Sequence, residues 1–338
     1  MARRGGLRRQ RSGAGFRYLD AAGHEVTDPD VLERLRALAI PPAWKDVWIS
    51  PNPRARLQAT GLDAAGRLQY LYHRSFREAQ DREKFERLTR FGERLPVLRE
   101  AMAAHMELEP QARERVCAVA TRLINETWFR VGDERYARSA RTYGVTTLRK
   151  RHVRIEGGRL RFCFRAKNRQ LVRQTLADEE LAAAVRDLLD LPGDSRLFRY
   201  ENGNGLSPLT GSVLNDYLRT FLGEEFSAKD FRTWGGTLAA AIALAEHGPV
   251  ETDAEAKRAV AAAMGSAAHV LGNTPAVVRA SYVSPAVVEL YREGRTLRRY
   301  RPTELRLVGA RAKGLDVEER ALLGLLRSWR RQSLRQTA

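Results

Sequence analysis

Apolar positions along this 338-residue chain change their spacing more than once. Residues 41–76 alternate apolar and polar side chains between Pro and Gly punctuation. This predicts short antiparallel strands at Val47–Ile49, Leu57–Thr60 and Leu68–Tyr72. Phe16–Leu19 reads as an earlier strand. Asp28-Pro29-Asp30 precedes Val31, Leu32, Leu35 and Leu38, which predicts a helix with Asp28 as N-cap and Pro29 in its first turn. The same aspartates could bind Mg²⁺, but no third carboxylate joins them, and the cap is the preferred reading. From Arg74 the period becomes helical, at Arg74–Phe91, Leu95–Met106 and Gln111–Trp128. The last carries Val116, Val119, Ala120, Leu123 and Ile124 on one stripe. A β section follows, with a strand at Val145–Leu148. His152–Ile155 and Leu160–Phe164 then pair across Gly157-Gly158. Helices resume at Asp178–Leu191, Thr210–Leu222, Lys229–Glu246, Asp253–Leu271 and Thr274–Tyr282, and Pro285 opens another. The expected class is α+β. A mobile basic N-terminus (1–15) precedes a small β-rich domain (16–92) and a larger, mainly α-helical domain (93–338).

Charge sharpens this picture. The chain has 59 basic and 41 acidic residues, a net charge of +18. Residues 1–90 already hold 18 basic against 11 acidic, so the excess is not confined to a tail. A basic surface spread over both halves fits a polyanion, and duplex DNA is the expected partner. Only seven of the basic residues are lysines. Codon bias explains arginine over lysine, but not basic over acidic. Arginine stays protonated whereas lysine can give up a proton, so a lysine retained in such a chain is a candidate acid. No apolar run is long enough to span a membrane. Met1–Arg11 is basic and lacks an apolar signal core. Cys117 and Cys163 are the only cysteines, too few for a disulfide scaffold or a Cys-rich zinc site. A cytoplasmic setting, at the bacterial nucleoid, is expected, and no coiled-coil heptad or evident dimer face argues against a monomer.

Motifs for other chemistries are missing. The sequence has no His-Glu-x-x-His, no Cys-x-x-Cys and no Walker-type phosphate loop. Gly203-Asn204-Gly205 reads as a simple loop. Five segments instead carry oddly placed polar residues: Trp128-Phe129-Arg130-Val131-Gly132, Phe164-Arg165-Ala166-Lys167-Asn168, Lys229-Asp230-Phe231-Arg232-Thr233-Trp234, Leu271-Gly272-Asn273-Thr274-Pro275 and Ala280-Ser281-Tyr282-Val283-Ser284-Pro285. Each alone is more often structural. Together they suit one phosphodiester. A tyrosine hydroxyl can attack phosphorus. Two arginines and an amide can hold the transition-state oxygens. A lysine can protonate the departing 5′-oxygen. Arg130, Lys167, Arg232, Asn273 and Tyr282 fill these roles without a metal or other cofactor.

In order and local wording these segments resemble the active site of type IB DNA topoisomerases of the poxvirus-like, bacterial kind. Ile40-Pro41-Pro42-Ala43-Trp44, Gln58-Ala59-Thr60-Gly61 and Gly66-Arg67-Leu68-Gln69-Tyr70-Leu71-Tyr72-His73 extend the resemblance to the N-terminal part, so that it runs from about residue 35 to residue 290. The resemblance implies a two-lobed clamp on duplex DNA, with Tyr282 forming a 3′-phosphotyrosyl bond. Lys167, helped by Arg130, would be the general acid. Arg130, Arg232 and Asn273 would hold the non-bridging oxygens. Strand rotation and religation would then relax supercoils without ATP. The resemblance also implies that Gln69, Tyr70 and Tyr72 touch DNA in the major groove, and that Tyr136 and Lys229 lie near the DNA backbone or active site.

Two features depart from the pattern. Many relatives carry His where this chain has Asn273; an amide donates a hydrogen bond but gives up no proton. His269 is not expected to replace it. Asp133 puts a negative charge near Arg130 and is expected to face away from DNA. Two other readings share some of these residues. A tyrosine site-specific recombinase has the same Arg, Lys, Arg and Tyr chemistry, but usually carries His at the position of Lys229. A non-catalytic basic DNA-binding protein would need the charge alone.

Overall fold

The structure is a computed structural model that describes residues 5–64, 66–300 and 314–337. The chain divides into two compact units, Met1–Lys84 and Phe85–Ala338. The boundary expected at residue 92 therefore falls eight residues further along, inside a helix.

The first unit is built on one antiparallel sheet. Its strands are β1 (Leu7–Ser12), β2 (Gly15–Leu19), β3 (Lys45–Ile49), β4 (Leu57–Leu62) and β5 (Leu68–Tyr72), ordered β2-β1-β3-β4-β5. Helix α1 (Pro29–Ala37) starts as its sequence predicts: Asp28 accepts from the amides of Asp30 at 2.9 Å and Val31 at 3.2 Å. Tyr18, Leu35, Ile40, Val47, Ile49 and Ala59 form a small core of their own. The mobile basic N-terminus is corrected here. Residues 1–4 lie outside the described residues, but Leu7–Ser12 form an inner strand, paired with both β2 and β3. Arg9 supplies the reason. Its guanidinium donates to the carbonyls of Ile40, Pro41 and Trp44 at 2.7, 2.9 and 3.0 Å and lies over the Phe16 ring. A basic residue of the segment expected to be mobile is thus an internal tie.

Helix α2 (Arg74–Met106) runs on where two helices were expected. Gly92 lies in the gap between those two expected helices, and Pro96 in the first turn of the second. In the fold, a Cβ at Gly92 would sit 2.5 Å from the Trp234 ring, so the glycine serves close packing. Buried Leu95 and Leu98 hold the helix together across Pro96. Next come α3 (Arg113–Thr127) and α4 (Glu134–Ser139). Val145–Thr147 is a 3-10 turn, not the expected strand; Val145 and Thr146 bond to the carbonyls of Arg130 and Val131, so no strand partner is needed. The expected hairpin is β6 (Val153–Glu156) and β7 (Arg159–Arg165). A third strand that the sequence analysis missed, β8 (Leu171–Ala177), pairs with β7 along its full length. Only Leu176 of β8 is buried, which leaves little alternation to read.

Helix α5 (Glu179–Asp190), a short ribbon of β9 (Arg199–Glu201) and β10 (Leu206–Pro208), and α6 (Gly211–Leu222) lead to α7 (Ala228–His247). Helix α7 is the axis of this unit: along Ala228–Ala245 only Lys229 and Ala243 are not buried. Small alanine and glycine side chains let α3, α6, α8 (Asp253–Leu271), α10 (Pro285–Arg292) and α11 (Val317–Thr337) pack around it, with α9 (Pro275–Ser281) between α8 and α10. Helix α11 is pinned by buried Glu319, which accepts from Arg99 at 2.7 and 2.8 Å and from the Trp234 indole at 3.0 Å. The observed architecture is a β-rich N-terminal unit followed by a larger, mainly α-helical one, as the α+β reading expects.

Candidate active site

Four of the five residues expected to carry chemistry come together in the second unit, and helix ends position three of them. Helix α3 stops at Trp128, whose left-handed backbone (φ 53°) turns the chain toward Arg130. Helix α8 stops at left-handed Gly272, which places Asn273 just beyond. Thr274 and Pro275 then start α9 as N-cap and first residue, and Tyr282 is the C-cap of that short helix. Arg232 comes from the second turn of α7. A Cβ at the next-turn residue Gly236 would lie 2.9 Å from the Tyr282 carbonyl oxygen, so glycine there lets α7 approach the tyrosine.

The two guanidinium groups are fixed by carbonyls at the ends of these helices. Arg232 donates to the Trp128 carbonyl and, at 2.9 Å, to that of Leu271. Arg130 donates to the Gly272 carbonyl at 3.3 Å and to Asn273 Oδ1. C-terminal carbonyls carry the negative end of a helix dipole, so they suit this task. The Asn273 amide orientation follows from the chemistry: its oxygen faces the Arg130 donor, so Nδ2 is left over, and that atom is buried without a partner. Arg232 Nε is also buried without one. Unpaired buried donors beside two cations are costly unless an anion arrives.

Electrostatics agree. Burial, and then repulsion from Arg130, pull the Arg232 guanidinium down to about 10, while Tyr282 acts in the opposite sense. Arg130 is lowered for the same first reason, burial. The Arg232 guanidinium carbon lies 5.1 Å from the centre of the Tyr282 ring. Burial by itself would raise the Tyr282 phenol. The charge and hydrogen bonding of Arg232, with the charges of Arg130 and Lys229, outweigh it, so the phenol lies below its ordinary value. A cavity of about 570 Å³ opens at Arg130, Arg232 and Asn273, with His269, Gln170 and Phe164 also in its wall. The arrangement can hold a phosphate-like anion on fixed donors beside a phenol with acidic character.

Lys167 stands apart. It is exposed on a 3-10 turn (Lys167–Arg169) after β7. Ala166 and Gln170, on either side of that turn, line the cavity, but Lys167 does not. Asn168 and Arg169 both have left-handed backbones, with φ of 62° and 59°. Such a pair is strained for residues with a Cβ. Lys229 is exposed in the first turn of α7, and Tyr136 is 43% exposed on α4, with Arg135 5.9 Å from its ring. Asp133 caps α4 by accepting from the Arg135 amide at 2.8 Å. In the first unit, Gln69, Tyr70 and Tyr72 lie on β5, the outer strand of the sheet. Alternation puts Tyr70 and Tyr72 on one face, their rings 6.2 Å apart and nearly parallel, and Gln69 on the other.

One supporting residue was not singled out. Buried Thr237 donates to the Tyr282 carbonyl at 3.2 Å and accepts from the Ser284 amide at 3.1 Å. Its signal was a hydroxyl inside the Ala-rich run of α7. Trp128 and Leu271 act through backbone carbonyls, for which no side-chain signal exists. Among the described residues no three His, Cys, Asp or Glu side chains gather where they could hold a metal ion, and no helix is long and apolar enough to cross a membrane.

Known proteins resemble this chain in sequence over most of its length. Residues 73–300 match the sequence family described as eukaryotic DNA topoisomerase I, catalytic core. Residues 15–63 match the family described as bacterial DNA topoisomerase IB, N-terminal domain. A DNA topoisomerase 1B from Acanthamoeba polyphaga mimivirus is 34% identical over 294 residues, which span 85% of this chain and 87% of that protein.

Proposed function

This chain belongs to the type IB DNA topoisomerase family, and from that premise we propose that it relaxes supercoiled duplex DNA through a covalent tyrosyl intermediate. The observation that carries the reading is that Arg130, Arg232 and Asn273 meet at one cavity with buried donors left unpaired, and that the Arg232 guanidinium lies 5.1 Å from the Tyr282 ring. The Tyr282 hydroxyl gives up its proton to water and attacks the scissile phosphorus. A 3′-phosphotyrosyl bond forms, the P–O5′ bond breaks, and Lys167 gives its proton to the departing 5′-oxygen. Arg130, Arg232 and Asn273 Nδ2 hold the non-bridging oxygens as charge develops on them. The cut strand rotates; the 5′-hydroxyl then returns its proton to Lys167, attacks the phosphotyrosyl phosphorus and releases Tyr282, whose phenolate regains a proton from water. The ester conserves the bond energy, so the cycle needs no ATP. The stacked Tyr70–Tyr72 pair and Gln69 on β5, with Tyr136 and Lys229 in the second unit, supply contacts to the same duplex, and the protein acts as a monomer on DNA in the cytoplasm.

Plasmid relaxation in EDTA without nucleotide tests this. Wild-type protein is expected to relax the plasmid and Tyr282→Phe to leave it supercoiled, with no covalent complex on denaturing gels but non-covalent DNA binding close to wild type. Relaxation by the Tyr282→Phe protein would exclude Tyr282 as nucleophile. Failure of both proteins would favour a site-restricted recombinase or a basic DNA-binding protein.

A further inference from the structure

Tyr282 ends a helix that has little to hold it. Val278 is the one buried side chain of α9, and Val277 beside it is 45% exposed. The amides of Tyr282 and Val283 both donate to the Val278 carbonyl, at 2.9 and 3.1 Å. Beyond them the chain crosses to α10. Ser284 is the N-cap residue there but makes no side-chain cap bond, and its hydroxyl is buried without a partner. A tie at this crossing comes from α7. Thr237 is fully buried; its hydroxyl donates to the Tyr282 carbonyl at 3.2 Å and accepts from the Ser284 amide at 3.1 Å. A carbonyl only accepts and an amide N–H only donates, so both directions are settled by chemistry. On the neighbouring residue, a Cβ at Gly236 would lie 2.9 Å from the Tyr282 carbonyl oxygen and 3.2 Å from the Tyr282 Cβ. Gly236 and Thr237 thus form a seat for the tyrosine backbone, and Arg232 lies one turn before that seat on the same helix.

We infer that Thr237 is a positioning residue for DNA cleavage: through the Tyr282 carbonyl and the Ser284 amide it holds the attacking phenol in register with the phosphate that Arg232 binds. This rests on the reading of Tyr282 as the nucleophile. One buried helix then carries both the group that locates the phosphate and the group that locates the nucleophile. Their separation is set by α7 and does not depend on the lightly anchored α9. The Thr237 hydroxyl is spent on two backbone groups and touches no reacting atom, so its loss is expected in the chemical step and not in DNA binding. The loss is also independent of the leaving group, because the hydroxyl acts on the attacking side of phosphorus. A misplacement of about 1 Å there costs on the order of a hundred-fold in rate.

Single-turnover cleavage by saturating full-length protein, on duplexes with oxygen or sulfur at the bridging 5′ position, tests this, with non-covalent DNA affinity measured alongside. Thr237→Val removes the hydroxyl and nearly keeps the shape. It is expected to slow cleavage by about ten-fold to a hundred-fold, with the DNA dissociation constant within about two-fold of wild type. Thr237→Ser keeps the hydroxyl and should cleave within about three-fold of the wild-type rate. Sulfur should not rescue Thr237→Val. Gly236→Ala keeps the hydroxyl but sets a methyl group against the Tyr282 carbonyl oxygen, and should slow cleavage in the same way. A Thr237→Val protein that binds DNA and cleaves at the wild-type rate would overturn the inference. So would a serine variant as slow as the valine one, a loss of affinity equal to the loss of rate, or rescue by sulfur. If the valine protein does not fold, Gly236→Ala decides, and wild-type cleavage by it overturns the inference. A wild type that forms no covalent complex would refute the topoisomerase reading and the inference with it; any of the other results, with a wild type that does form the complex, would overturn the inference alone.

Discussion

Two regions of the same site are prepared to different degrees. Arg130, Arg232 and Asn273 are held by carbonyls and by one another before any substrate arrives. The Lys167 turn is exposed and carries two consecutive left-handed residues with side chains. The first region bears the cost of crowding two cations and leaving buried donors unpaired. The second avoids burying an ammonium group next to those cations. The difference teaches where the repulsion lies: two cations are crowded where carbonyls hold them, and the ammonium group of Lys167 is left in solvent.

The largest expected effect separates the two regions. Lys167→Ala should slow single-turnover cleavage by about a thousand-fold, in the range for loss of a general acid. A substrate with sulfur in place of the bridging 5′-oxygen should restore most of that rate, because a thiolate leaves without a proton. An unrescued Lys167→Ala protein would remove Lys167 from the role of acid. Arg232→Ala should slow cleavage by about a hundred-fold on both substrates, since it holds charge on the non-bridging oxygens whatever the leaving group. Equal rescue of both variants by sulfur would erase the proposed distinction.

The smallest effect concerns the stem beneath the turn. His152 is buried at the start of β6, its ring 4.4 Å from that of Tyr143, and its Nδ1 accepts from the Arg149 amide at 3.1 Å. Burial, then the charges of Arg151 and Arg149, push its imidazole from 6.5 down to about 4. The folded protein thus keeps His152 neutral where the unfolded chain would protonate it. Stability from this group is complete above pH 6.5 and is lost as pH falls toward 4, by at most about 3 kcal/mol. Urea midpoints at neutral and mildly acidic pH should show the drop, and His152→Gln should flatten it. An unchanged drop in that variant would move the effect to another group.

Sequence and structure agree best where local signals are strong. Asp28, Thr274 and Pro275 mark helix starts that the structure keeps, and Gly157-Gly158 closes the expected hairpin. The disagreements have physical causes. The basic N-terminal residues form a strand because Arg9 finds three carbonyls more than thirty residues away. Gly92, in the gap between two expected helices, is a contact for Trp234. Strand β8 hides because its neighbour β7 supplies most of its pairing and the core asks for only one of its side chains.

By itself the sequence determined the α+β class, most of the helices and the kinds of residue that would meet around a phosphate, because periodicity, caps and residue chemistry are local properties. Only the tertiary structure decided that Arg130, Arg232, Asn273 and Tyr282 converge while Lys167 stays outside. That outcome depends on carbonyls at the ends of α3 and α8, and on how closely α7 can approach Tyr282. A backbone carbonyl is the same in every residue, so no reading of side chains along the chain could have found the groups that aim this site.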